Sequence, residues 1–204
     1  MAPWRFDMAA LRPVPWKNGG GTTREIVCQP ADAGLDRFDW RVSIATIDRP
    51  GPFSAFDGID RTILLLAGAG VRLRSRDGAI DHVLDKPLVP FAFPGETALD
   101  CQLLGGPSTD FNVMCRRGRL RADVRVLRRG DDVAACDAGL LLAAYGGWRL
   151  RAAEGTGEAL VCESGGGVWW EGVSHGWHAD PHDVEADAAL IAVRLEPSSS
   201  SSGV

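Results

Sequence analysis

The chain has 204 residues, of which 45% are hydrophobic and 24% charged, and its formal net charge is −5. This composition suits a globular chain with a buried core, and the acidic balance disfavours nucleic acid as a partner, since binding it requires neutralising phosphates. No apolar run is long enough to cross a bilayer, the first residues lack the apolar stretch of a signal peptide, and the five cysteines form no CxxC pair. We therefore expect a cytoplasmic protein with reduced thiols and no membrane partner.

Short segments of alternating apolar and polar residues, separated by frequent glycine and proline, predict an all-β fold. In chain order the predicted strands are 38–47, 61–66, 71–75, 87–93, 97–103, 110–116, 120–127, 140–145, 148–152, 159–162, 168–171 and 188–196. Strands 61–66 and 71–75 are predicted to form a hairpin, because Gly68-Ala69-Gly70 lies between them. The serine-rich tail, 197–204, is predicted to be disordered and without function.

The segment 16–25 (WKNGGGTTRE) is the most distinctive polar stretch and is predicted to be a loop. Its three consecutive glycines allow positive φ and leave backbone N–H groups unobstructed. With Lys17 and Arg24 on either side, such a loop can fold over an anionic ligand. It lacks the GxxxxGK[ST] order of a phosphate-binding loop, so its spacing alone leaves a flexible hairpin loop equally open.

Two arginines stand where predicted strands could present them to a site. Arg41 and Ser43 lie on the face of strand 38–47 opposite Trp40. Arg61 begins a strand after a long, turn-rich stretch. Taken singly, each arginine is more often a solvated charge at a strand edge than a functional residue.

Asp110, Asn112 and Met114 share one face of the predicted strand 110–116. Taken alone, Asn112 is more simply interpreted as a residue that forms structural hydrogen bonds in a turn or along a sheet. The sequence has no GxSxG motif, so nucleophilic catalysis is poorly supported. If the protein is an enzyme, Glu25 or Asp110 is the candidate general base.

Three histidines, His175, His178 and His182, have a spacing that resembles a metal-ligand cluster. They are predicted to lie in an exposed loop, whereas zinc ligands at this spacing are better placed on a helix or completed by a fourth ligand. We therefore expect no metal here.

Taken in order, these segments resemble the motifs of the HutD/Ves family of cupin-like proteins. The matching stretches are 16–26, 38–45, 51–54 with 58–61, and 106–107 with 110–114 and 117. The resemblance runs through residues 12–120 and is loose beyond them.

The resemblance implies a fold of two cupin-type jelly rolls in one chain, a bicupin with few short helices. Residues 1–125 are expected to form the N-terminal jelly roll that carries the motifs, and 126–196 a smaller C-terminal one. Metal-dependent cupins carry an H-x-H arrangement, and none occurs in this sequence. The site is therefore expected to hold no metal and no cofactor.

The resemblance also implies a function, the binding of a small acidic metabolite of histidine degradation (N-formylglutamate, formiminoglutamate or urocanate) with a regulatory role. Arginine and lysine suit carboxylates, asparagine suits an amide, and aromatic walls exclude water. The ligand-binding residues expected on this basis are Trp16, Lys17, Asn18, Gly19, Gly20, Thr22, Arg24, Arg41, Ser43, Phe53, Ser54, Phe56, Arg61, Asn112 and Met114.

Three alternatives stay open: a metal-free cupin isomerase or hydrolase, a stress-response protein of the Ves type, and a structural or partner-binding jelly roll. The sequence also leaves a homodimer open.

Overall fold

A computed structural model of the chain describes residues 2–154, 158–182 and 187–198. It is all-β, as predicted, with only a 3₁₀ turn at Met8–Ala10 and one short helix, α1, at Gly34–Arg37. The strands are β1 (Trp4–Asp7), β2 (Val14–Pro15), β3 (Gly21–Gln29), β4 (Trp40–Ile47), β5 (Gly51–Phe53), β6 (Ile59–Ala67), β7 (Val71–Ser75), β8 (Asp81–Leu84), β9 (Phe91–Pro94), β10 (Leu99–Leu103), β11 (Ser108–Arg116), β12 (Leu120–Leu127), β13 (Asp131–Tyr145), β14 (Trp148–Ala152), β15 (Leu160–Cys162), β16 (Gly166–Pro181) and β17 (Ala189–Pro197). No helix of the described residues is long and apolar enough to cross a membrane.

The chain divides into two compact units. The first, Arg12–Arg121, carries the family-like motifs and is called the motif unit below. The second, called the C-terminal unit, contains the described residues of Ala122–Pro197 together with residues 2–11. The start of the chain therefore groups with the later strands, because β1 pairs with β16.

The motif unit consists of two antiparallel sheets. A six-stranded sheet has the order β2-β3-β4-β11-β6-β9, and a four-stranded sheet has the order β5-β10-β7-β8. Ile47, Ile63 and Leu65 of the larger sheet join Leu73 and Leu99 of the smaller one in a single buried cluster. The core of this unit therefore lies between its two sheets.

The C-terminal unit is built on one sheet with the order β12-β17-β13-β16-β14-β15, to which β1 adds beside β16. Three buried tryptophans, Trp148, Trp170 and Trp177, dominate its core. The long strands β13 and β16 pair with two shifts in register, and such bulges bend a sheet.

The predicted hairpin of strands 61–66 and 71–75 is wrong. β6 pairs with β11 and β9 in the larger sheet, whereas β7 pairs with β10 and β8 in the smaller one. Gly68 and Gly70 both have φ of 94°, so the chain turns sharply and crosses from one sheet to the other. A glycine turn between two apolar strands fits a hairpin and a crossing between sheets equally well, and only the strand partners separate them.

The predicted histidine loop is also wrong, because His175 and His178 lie within β16. That strand runs far beyond its predicted bounds, 168–171, since Gly172 and Gly176 interrupt the alternating pattern. Strands 71–75, 120–127 and 148–152 have the bounds that were predicted. Of the tail predicted to be disordered, residues 199–204 lie outside the described part of the chain.

Candidate functional site

Five polar side chains share the interior face of the six-stranded sheet. In the register of β4, β11 and β6, Asn112 stands opposite Ser43, and Met114 stands between Arg41 and Arg61. Directly opposite residues of antiparallel strands project to the same side, and the same face carries the core residues Ile47, Ile63 and Leu65. Arg41, Ser43, Arg61, Asp110 and Asn112 therefore point between the sheets, and they are called the interior site below.

All five residues of the interior site are buried. The alternation predicted for Arg41 and Ser43 opposite Trp40 is present, but this face is not solvated. The general expectation that a lone strand arginine is a solvated charge is wrong for both Arg41 and Arg61. Charged residues are rarely buried without a partner, so five polar groups together in a core require an explanation.

Arg61 is 4% exposed and is enclosed by three phenylalanine rings. Its guanidinium carbon lies 4.7 Å from the ring centre of Phe53, 5.5 Å from that of Phe56 and 5.1 Å from that of Phe93. Its Nη1 donates to the backbone oxygen of Ser54 at 3.0 Å, whereas Nε has no hydrogen-bond partner among the residues that the structure describes. Burial lowers the pKa of Arg61 to about 10, which still leaves it charged at neutral pH.

Asp110 is 2% exposed, and neither of its carboxylate oxygens has a hydrogen-bond partner among the described residues. Burial raises the pKa of Asp110 to about 7, against the attraction of Arg61, which lowers it. The charge of Asp110 also acts on Cys101 of β10. Burial first, and then the charge of Asp110, raise the pKa of the Cys101 thiol to about 12. Asp110 therefore changes its charge near neutral pH within the core.

Asn112 and Arg41 complete the interior site in different ways. Oδ1 of Asn112 is buried and accepts no hydrogen bond from any described residue. Arg41 donates from Nε to Glu25 at 2.7 Å and from Nη1 to the hydroxyl of Ser43 at 3.5 Å. Because the Glu25 side chain is 47% exposed, this ion pair lies where the interior meets solvent.

The segment 16–25 is only partly a loop, which corrects the prediction. Residues 16–20 form the turn of the β2–β3 hairpin, and the rest belongs to β3. Asn18 accepts from the N–H of Gly20 at 2.9 Å, and Gly19 has φ of 67°, so these residues build the turn itself. Trp16 donates from its indole to Thr23 at 2.8 Å, while Lys17 is exposed.

Two predicted residues of β3 lie away from the interior site. Thr22 and Arg24 stand opposite Thr46 and Ile44, on the other face of the sheet from Ser43. The period of two along a strand separates them from Thr23 and Glu25, which share the interior face.

Met114 and the residues of the 51–56 stretch lie at the edge of the interior site. Met114 packs with Phe38 and Ile59, and Phe56 joins this cluster. Phe53, Ser54 and Phe56 are brought to Arg61, as described above. The sequence analysis missed Phe93, whose place opposite Arg61 depends on the pairing of β9 with β6. The alternation of Phe91 and Phe93 was the only signal for it.

The three histidines do not meet. His178 contacts Asp132 at 2.6 Å and Asp180 at 3.2 Å, and His182 contacts Arg149 at 2.9 Å. His175 packs against Trp170. Within the described residues, no three His, Cys, Asp or Glu side chains lie close enough together to hold a metal ion.

A cavity of ≈ 10 Å³ lies beside Phe53, between Trp16, Ile47 and Cys101. That volume is about the room needed for one water molecule. In this structure, the segment from Gly51 to Gly58 covers Arg61 with two rings and one carbonyl group.

This architecture is that of the cupin fold. YlbA from Escherichia coli superposes with a TM-score of 0.70 over 98% of this chain and 92% of that chain. Oxalate decarboxylase from Lactobacillus farciminis superposes with a TM-score of 0.61 over 96% and 86%. Both are 9% identical to this chain, so the likeness concerns the fold alone.

The HutD family model matches residues 8–184, and the chain therefore belongs to the HutD family. It is 38% identical to protein Ves of Escherichia fergusonii over 168 residues, which are 82% of this chain and 83% of that protein. It is 46% identical over 112 residues, 53% of this chain and 56% of the relative, to an uncharacterized 21.2 kDa protein in the hutC 3′ region of Pseudomonas putida.

Two solved structures of similar proteins cover nearly the whole chain. A conserved protein of unknown function from Pseudomonas aeruginosa PAO1 has a TM-score of 0.84 and 32% identity, covering 96% of this chain and all of that one. HutD from Pseudomonas fluorescens SBW25 has a TM-score of 0.79 and 28% identity, covering 97% of this chain and 100% of that one.

Proposed function

We propose that the interior site binds a small acidic metabolite of histidine degradation without a metal ion, and that binding lets the protein regulate histidine utilisation. The candidate ligands are N-formylglutamate, formiminoglutamate and urocanate. The observation that carries the proposal is the buried, charged guanidinium of Arg61, whose Nε lacks a hydrogen-bond partner within the described part of the chain. The hutC neighbourhood of the Pseudomonas putida relative supports the metabolic context.

The chemistry of the site suits a carboxylate. An arginine in a dry, aromatic surrounding binds an anion more strongly than one in water, because the low local dielectric strengthens the attraction. Arg61 has already exchanged water for the Ser54 carbonyl, which a ligand carboxylate can replace with a stronger, charge-assisted bond. Arg41 offers a second cation at the solvent side.

Binding requires the segment from Gly51 to Gly58 to move. None of the five interior-site residues lines the ≈ 10 Å³ cavity, and Phe53, Ser54 and Phe56 of this segment cover Arg61. Ligand entry is therefore coupled to a conformational change, which is how a binding protein can signal to a partner.

The proposal includes the finer fold prediction, two cupin-type jelly rolls with the ligand in the first, residues 1–125, and a smaller one in 126–196. It also includes a cytoplasmic location and no nucleic-acid or membrane partner. A homodimer stays a prediction.

A thermal-unfolding screen with the three metabolites tests this function. A ligand that binds only the native state raises Tm, and at 100 times its dissociation constant it adds about 2.7 kcal/mol. For a chain of this size that corresponds to a Tm rise of roughly 5–10 °C. Unchanged Tm with all three compounds at millimolar concentration would contradict the proposal.

A second candidate function, a metal-free isomerase or hydrolase, is favoured by one observation. Asp110 is buried and has a pKa of about 7, which suits a general base or acid. Glu25, the other predicted base, is instead half exposed and paired with Arg41. Following each metabolite by NMR in the presence of the protein separates the functions, since turnover indicates the enzyme, whereas a metabolite that raises Tm and is not converted indicates the binding protein.

A further inference from the structure

Four polar atoms in the motif unit are buried and have no hydrogen-bond partner among the described residues. They are Nε of Arg61, both carboxylate oxygens of Asp110 and Oδ1 of Asn112. A buried polar group without a partner costs stability, so a group of them marks a place where an outside molecule can supply the missing bonds.

The four atoms differ in hydrogen-bonding type, since one is a nitrogen and three are oxygens. Nε of Arg61 is a donor, Oδ1 of Asn112 is an acceptor, and both oxygens of Asp110 are acceptors when the carboxylate is ionised, above its pKa of about 7. A ligand that meets them needs one acceptor for Nε of Arg61 and at least one donor for the oxygens of Asp110 and Asn112. That requirement constrains the ligand more than the positive charge of Arg61 does.

We infer that the ligand carries a carboxylate for Arg61 and, at its other end, an N–H donor group for Asp110 and Asn112. This inference rests on the proposed function and assigns the N–H group that its candidate ligands carry in an amide, amidine or imidazole to Asp110 and Asn112. A plain dicarboxylate fits worse, because its second carboxylate would place negative charge and further acceptors against Asp110.

The strand register places these groups in a usable order. Asp110 stands opposite Leu65, Asn112 opposite Ile63, and Met114 opposite Arg61. Arg61 and Asp110 are thus four residues apart along the paired strands, about 13 Å at the rise of a β-strand. Asn112 lies between them, and the guanidinium of Arg61 and the carboxyl group of Asp110 are close enough to attract each other. A ligand with its two groups separated by a short carbon chain fits this span.

Matched pairs of compounds test the inference by isothermal titration calorimetry on the full chain. N-Formylglutamate is compared with 2-formyloxyglutarate, in which an ester oxygen replaces the N–H. Urocanate is compared with 3-(2-furyl)acrylate, in which a furan replaces the imidazole. At least one N–H compound is expected to bind ten times more tightly than its partner, because its donor meets a buried acceptor.

The outcomes separate this inference from the proposed function. Equal affinities within each pair would overturn the N–H requirement while the metabolite proposal stands. Absence of binding by all four compounds and by formiminoglutamate would overturn both.

Two variants assign the preference to residues. Asp110→Asn replaces one acceptor by a donor and is expected to reduce the tenfold preference to less than threefold. Asp81→Asn makes the same change on the exposed surface and is expected to keep the preference. Asn112→Leu, which removes the other acceptor at similar volume, is expected to act like Asp110→Asn. A full preference in both interior variants would overturn the assignment.

Discussion

Asp110 is a carboxylic acid, which is most stable in water or beside hydrogen-bond donors, and it is instead buried in the core without such donors among the described residues. Its unfolded pKa is near 3.8, and burial raises the folded value to about 7 against the attraction of Arg61. The folded state therefore holds one more proton than the unfolded state between those values. It follows that the free energy of unfolding falls as pH rises through that window, and the loss is complete above about pH 7.

Replacing Asp110 by Asn is expected to remove this pH dependence. The shift of about 3 pKa units corresponds to a loss on the order of 4 kcal/mol in the wild type at pH 8, and the variant lacks that loss. The variant should therefore be more stable than the wild type at pH 8, with the difference shrinking toward about pH 4. Urea denaturation at several pH values measures it.

Asp81→Asn is the control, since the hydrogen bond from Arg72 holds the pKa of exposed Asp81 below its ordinary value. That group titrates below the window in which Asp110 acts. Parallel stability curves for wild type and Asp110→Asn would contradict the account of Asp110.

At the scale of single residues, the sequence predicted which residues belong to the interior site better than it predicted their burial. Arg41, Ser43, Arg61 and Asn112 were predicted as site residues, and the structure brings them to one buried face. Arg24 was predicted with them and lies on the opposite face, because an odd number of positions separates it from Glu25 and Thr23 along β3. A glycine-rich stretch hides where a strand begins, and the start of β3 decides which of its residues point inward.

The crossing between β6 and β7 shows how one element of the chain sets the architecture of the motif unit. Gly70 has φ of 94°, and a Cβ at this position would lie 2.1 Å from the carbonyl oxygen of Leu84. Both the backbone conformation and the space therefore require glycine. The crossing delivers β7 to the smaller sheet and leaves β6, with Arg61, in the larger one.

Gly70→Ala is expected to destabilise the protein by about 3 kcal/mol or more, since it combines backbone strain with a steric clash. Gly78→Ala is the matched control, because Gly78 has φ of 75° but no atom within 4 Å of an added Cβ. Strain alone should cost that variant about 1–2 kcal/mol. Denaturation midpoints at an unchanged m value measure both, and equal losses would contradict the steric argument.

At the scale of elements, alternation in the sequence located most strands but could not pair them. The bounds of β7, β12 and β14 were predicted, whereas β1, β2, β5 and β8 were missed, and so was the nine-residue β3, whose first residues were predicted to be a loop. The wrong hairpin and the missed Phe93 have the same cause. Strand partners depend on contacts between distant residues, and a local pattern carries no information about them.

At the scale of the whole molecule, the all-β fold and the family followed from the sequence. The motifs lie almost entirely in the motif unit, and the family model extends through residue 184 into the C-terminal unit. The grouping of residues 2–11 with the later strands was not foreseen, since it depends on the pairing of β1 with β16.

Under the proposed function, the buried charge of Arg61 serves a ligand rather than the fold. Arg61→Met removes the charge and keeps much of the volume in the aromatic enclosure, so the fold should persist. Arg72→Met is the control, because Arg72 lies on β7 in an exposed ion pair with Asp81.

Isothermal titration calorimetry with N-formylglutamate, formiminoglutamate and urocanate, on wild type and both variants, is the most direct test. The account predicts that at least one compound binds wild type and Arg72→Met with equal affinity and binds Arg61→Met at least 30 times more weakly, the loss of about 2 kcal/mol or more expected when a buried charge loses its partner. Equal affinity for Arg61→Met, or no binding of any of the three compounds to the wild type, would contradict it.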